Sequence, residues 1–149
     1  VVQDPTGAYF SPVQLDAPEP VPEGAPAQGM AWWHELMTPA PERAAAFYAA
    51  TLGWQAVAQA MPFGPYWLLT RADGTPAGGL MAPPADAPPM PAHWTVYVAV
   101  DDVAAAHARA LVLGATEVFP VTDVPGVGRV CELLDPTGAL VALGQSPVA

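Results

Sequence analysis

The chain is 149 residues long, 52% hydrophobic, and carries a net charge of −10 with four Arg and no Lys. Phosphate backbones and anionic bilayer surfaces are held by clustered Lys and Arg, so neither nucleic acid nor a membrane surface is an expected partner. No apolar run approaches the ~18 residues of a membrane span, and a lone Cys131 excludes an internal disulfide and fits a reducing, cytoplasmic setting.

Asp-Pro-Thr-Gly-Ala opens at Asp4 and recurs at Asp135, a displacement of 131 residues (135 minus 4). Such self-similarity marks repeated units. Residues 1–14 are therefore expected to be the last strand of a missing or truncated upstream unit. Residues 15–29 are Pro-rich and acidic, the composition of a semi-rigid linker. Residues 30–145 then form one domain in two halves, 30–81 and 93–145, joined by a Pro-rich crossover at 82–92.

In the first half, the pattern predicts a strand over Met30–Met37 ended by Thr38-Pro39. A helix follows from Pro41 to about Leu52, with Gly53 as its stop. Three strands come next, at Trp54–Gln59, Tyr66–Thr70 and Ala77–Met81, and Asp73-Gly74 signals a hairpin turn. The second half repeats the order. A strand over His93–Val100 meets Asp101-Asp102, a helix N-cap, and the helix runs to about Leu113 before Gly114. Strands are predicted at Thr116–Phe119, Val127–Leu134 and Ala139–Leu143. The expected fold is α+β: two tandem βαβββ units forming a curled mixed sheet around a cavity, with helices on the outer faces.

Trp33-His34-Glu35-Leu36-Met37-Thr38, Phe47-Tyr48 and Leu52-Gly53-Trp54 resemble the first half of a vicinal oxygen chelate domain. Gly78-Gly79-Leu80-Met81, Pro125-Gly126-Val127-Gly128-Arg129 and Asp135-Pro136-Thr137-Gly138 resemble the rest. That superfamily includes glyoxalase I, extradiol dioxygenases and bleomycin-binding proteins, and its domains commonly occur as fused pairs. The resemblance implies four metal ligands, one from the first and fourth strand of each half. Counted from the motifs, those positions fall on Trp33, Gly79, Thr95 and Ala142. Metals of this kind need His nitrogen or carboxylate oxygen, and Gly78–Met81 and Ala139–Gly144 contain neither in any register. No family metal and no cofactor are expected.

Glu35 has no cation beside it in sequence, and reads either as an acid–base residue or as a carboxylate satisfied by its neighbours. His93, at a strand start, is the second catalytic candidate. His34 is expected in the core and His107 at the surface or in packing. Trp33, Glu35, Met37, Tyr66, Met81, His93, Thr95 and Tyr97 are the candidate ligand-binding residues, with Trp94 packed on a helix. Whether Tyr66 or Trp67 points inward is open. Cys131, among apolar neighbours, reads as a packing residue. These residues suit a small apolar or aromatic ligand. The alternative is a divergent metal-dependent lyase or dioxygenase using His34 or Glu35 with His93. A homodimer or an upstream partner domain is open to the N-terminal segment.

Overall fold

The computed structural model describes residues 1–14, 16–17, 24–61, 64–85, 87 and 89–147. Part of the linker stretch (15 and 18–23) and two crossover positions (86 and 88) lie outside the described residues. The chain divides into two compact units: Val1–Glu19 with His34–Trp94, and Pro20–Trp33 with Thr95–Ala149.

The first unit contains β1 (Val2–Gln3), β2 (Tyr9–Phe10), β3 (Ala31–Met37, from His34 onward), α1 (Pro41–Leu52), β4 (Gln55–Met61), β5 (Gly64–Thr70) and β6 (Pro76–Met81). Its sheet runs β4-β5-β6-β3, with β3 parallel to β6 and the other pairs antiparallel. Helix α1 has the predicted limits for local reasons. Pro41 needs no N–H partner in the first turn, and Gly53 takes the left-handed conformation at φ 70° to close the last one. One face of α1 buries Ala44 and Tyr48 against Leu36, Leu69 and Leu80.

The first Asp-Pro-Thr-Gly copy makes the turn between β1 and β2, so residues 1–14 hold a short hairpin rather than a single strand. Asp4 Oδ1 accepts from Thr6 N, Thr6 Oγ1, Gly7 N and Ala8 N at 2.7–3.1 Å. Its other oxygen accepts from the Tyr48 hydroxyl at 2.9 Å, and Trp94 Nε1 donates to that same hydroxyl at 2.9 Å. Phe10 meets Phe47 and Tyr48 edge-on, and Trp54 stacks on Tyr48. The hairpin is thus seated on α1, with Asp4 and Ala8 buried.

The second unit contains β7 (His93–Ala99, from Thr95 onward), α2 (Val103–Val112), β8 (Thr116–Val124), β9 (Gly128–Leu134) and β10 (Leu140–Gln145). Its sheet runs β7-β10-β9-β8, again with one parallel pair, β7 with β10. The Asp102 side chain caps α2 as expected, accepting from Ala105 N, while Gln145 Oε1 accepts from Val103 N. The second Asp-Pro-Thr-Gly turn repeats the first: Asp135 Oδ1 accepts from Thr137 N, Thr137 Oγ1 and Ala139 N. Both units are therefore βαβββ, and the fold class is α+β.

One boundary differs appreciably. β8 was expected to end at Phe119, yet it continues through Pro120 to Val124. It is the terminal strand of its sheet, and its register slips between Phe119 and Thr122. A bulge on an edge strand removes Pro from the hydrogen-bond ladder, so the strand survives it.

Two substitutions test these contacts. Tyr48→Phe leaves the buried Asp4 oxygen and the Trp94 N–H without a partner, and is expected to cost about 1–3 kcal/mol in denaturant unfolding. Burial of Asp4 opposes its ionisation, but the bonds from Thr6, Tyr48 and Ala8 outweigh it and hold the carboxyl below its ordinary 3.8. A depressed carboxylate stabilises the fold above its unfolded pKa, and that contribution disappears as pH falls through the folded value. The gap between wild type and Asp4→Ala should therefore be full at neutral pH and shrink below pH 3.8. In the second unit, the Trp32 ring lies directly on Gly144, where an added Cβ would overlap the indole. Gly144→Ala is expected to destabilise by about 1–3 kcal/mol and to shift the tryptophan emission.

Candidate functional site

In the first unit, strand register settles which residues share a face, because direct partners in a ladder point the same way. Glu35 pairs with Gly79 and Gly79 with Leu68, while Met37 pairs with Met81 and Met81 with Tyr66. Four of the predicted binding residues, Glu35, Met37, Tyr66 and Met81, therefore lie on one face. Tyr66 donates to Glu35 Oε2 at 3.1 Å. The opposite face carries Leu36, Leu80 and Trp67, and Trp67 packs into the core beneath α1. Tyr66, not Trp67, belongs with Glu35.

The two histidines of this unit have separate surroundings. His93 Nδ1 lies 2.8 Å from the Pro91 carbonyl. A carbonyl only accepts, so Nδ1 is the donor in this contact. His34 shares the parity of Leu36, but its side chain is exposed where Leu36 is buried, which corrects the expectation of a core histidine. Trp94 packs on α1 through Tyr48, as expected.

In the second unit, Tyr97 pairs with Ala142 and Ala142 with Glu132. Tyr97 donates to Glu132 Oε1 at 2.7 Å. Thr95 has the same parity as Tyr97 and is buried. Trp32 and Trp33 pack on the cluster of Tyr97, Val130 and Ala142, with Val124 beside them. Trp32 meets Tyr97 edge-on, and its Nε1 donates to Ser146 Oγ at 2.9 Å. The other face holds Cys131 and Leu143, and Gln145 reaches from it to the N-terminus of α2. Burial, helped by the charges of Glu132 and Glu117, pushes the Cys131 thiol up to about 11. The thiol is protonated at neutral pH and is no nucleophile. His107, mostly buried, sits 2.9 Å from Glu117 Oε2.

Each unit thus presents a carboxylate bonded to a tyrosine hydroxyl among apolar side chains. Glu35 was found in the sequence and Glu132 was not. The only hint of Glu132 was one carboxylate inside the apolar run Val130–Leu134, with alternation setting it opposite Cys131 and Leu133. Of the four positions implied as metal ligands, Gly79 and Ala142 have no donor atom in their side chains. Among the described residues, no three of His, Cys, Asp and Glu come together as a metal site would need.

Residues 33–143 match the family model of the glyoxalase-like domain. A Mycobacterium bovis protein named as a glyoxylase, CFP32, is 38% identical over 111 residues, 74% of this chain and 42% of that protein. The Streptomyces peucetius anthracycline biosynthesis protein DnrV is 32% identical over 137 residues, 84% of this chain and 48% of that protein. The chain spans about half the length of these curated relatives, or less. Among solved structures, a methylmalonyl-CoA epimerase superposes with a TM-score of 0.56 at 18% identity, covering 83% of this chain and 99% of that one, which shows a shared fold. By its family match and its relatives, the chain belongs to the glyoxalase-like domain family of the vicinal oxygen chelate superfamily.

Proposed function

We propose that residues 30–145 bind a small apolar or aromatic molecule without the superfamily's metal. The carrying observation is the register beside the two polar anchors. Glu35 stands next to Gly79 and Tyr97 next to Ala142, so two of the four ligand positions supply no donor. Glu35 is bonded to Tyr66, and the remaining positions, Trp33 and Thr95, do not suit a divalent cation. The donor set does not fit the metal. In the first unit Tyr66, Met37 and Met81 supply apolar surface and Glu35 and His93 polar contacts, and in the second unit Trp33 and Tyr97 supply the former and Thr95 the latter. One relative is named for anthracycline biosynthesis, and a flat fused-ring molecule is the ligand class such surfaces suit.

We also propose that residues 1–14 are the closing hairpin of a preceding unit of the same kind, in a tandem protein. Two turns of identical sequence with the same hydrogen bonds support this. So do relatives of about twice this length. A free Cys131 suits a reducing compartment, and no described helix is long and apolar enough to cross a membrane.

The glyoxylase name of one relative keeps a second reading in view, a divergent lyase or dioxygenase using His34 or Glu35 with His93. Metal content by elemental mass spectrometry, after incubation with zinc, nickel, manganese or iron(II), separates the two. Binding without metal predicts well under one equivalent retained after desalting. About one equivalent retained, and lost in both His93→Ala and Glu35→Ala, would establish the second reading instead.

A further inference from the structure

Glu132 is 9% exposed, and its neighbours on the same face, Tyr97 and Thr95, are 7% and 6% exposed. A carboxylate only accepts hydrogen bonds, and Tyr97 donates to one of its two oxygens. Among the described residues no cation forms an ion pair with it. Arg129, the nearest cation in sequence, has the opposite parity on β9 and lies 3.3 Å from Asp123. A buried carboxyl group with no cation paired to it is complemented by a ligand that brings positive charge and donors. The walls around it are suited to such a ligand. The half-exposed Trp32 and Trp33 indoles attract cations to their faces.

We propose that Glu132, positioned by Tyr97, is the specificity anchor of the second unit. It selects a flat ligand bearing a protonated amine and rejects its anionic counterpart. The net charge of −10 acts in the same direction at longer range. This inference rests on the small-molecule binding proposed above and adds the charge class of the ligand.

Three probes with one ring system test it: 9-(aminomethyl)anthracene as its cation, 9-anthracenemethanol, and anthracene-9-carboxylate. Each is titrated into the full chain by calorimetry and tryptophan quenching at low salt. The cation is expected to bind at least about tenfold more tightly than the carboxylate. Glu132→Gln should bring the two within about twofold. Glu42→Gln, the same change of net charge on an exposed α1 position, should preserve the gap. Tyr97→Phe removes the hydroxyl that positions the carboxylate and should narrow the gap. This variant decides the matter if Glu132→Gln lacks a native circular dichroism spectrum.

Binding of the alcohol with no charge preference would overturn the anchor and leave the binding reading standing. So would a preference that survives Glu132→Gln, or one abolished by Glu35→Gln instead. If none of the three probes binds, the binding reading fails, and the inference with it.

Discussion

Strand pleat is the constraint on which the candidate site depends. In each unit a parallel pair, β3 with β6 or β7 with β10, fixes which side chains share a face with the polar anchor. A slip of one residue would send Glu35 under α1 and bring Leu36 to its place. The slip is prevented by packing on the helix side, where Leu36, Leu69 and Leu80 are almost wholly buried with Tyr48. Apolar burial on one face therefore determines chemistry on the other. With the register set, the residues beside Glu35 and Tyr97 are Gly79 and Ala142.

The helix-facing side of the first unit is organised by a chain of hydrogen bonds, Trp94 to Tyr48 to Asp4. Tyr48 joins elements far apart in sequence through one hydroxyl, and the aromatic rings of Phe10, Phe47, Trp54 and Trp94 surround it. Burial and the Asp4 carboxylate both keep that hydroxyl protonated, so it is always available as a donor. The same turn at Asp135 has its full set of internal bonds but remains largely exposed. Turn geometry is local to the five residues, then, whereas the burial of Asp4 comes from its docking on α1.

Much of this was legible in the sequence, for reasons tied to particular residues. Pro41 and Gly53 delimit α1, and Asp102 starts α2, because capping depends on local backbone needs. Strand content and order followed from alternation and turn residues. The choice between Tyr66 and Trp67 was not legible, since both neighbours are aromatic and only pairing with β6 separates them. Nor was the exposure of His34, which shares the parity of buried Leu36 and differs only in how far the core of the first unit extends along β3. Glu132 was not legible because β9 is not among the strands to which the resemblance assigns ligands, and a single carboxylate in an apolar run carries no motif. The length of β8 depended on its edge position, a tertiary property.

Membership of the glyoxalase-like domain family gives the fold, but function resides in the side chains each unit presents. The first unit offers a tyrosine-bound Glu35 beside two thioethers, and the second a tyrosine-bound Glu132 on the face that Trp32 and Trp33 pack against. The most direct test of metal-free binding is calorimetric titration of 9-anthracenemethanol with and without excess EDTA. The account predicts the same affinity, within about twofold, in both. Loss of binding in EDTA, reversed by a single equivalent of a divalent metal, would contradict it.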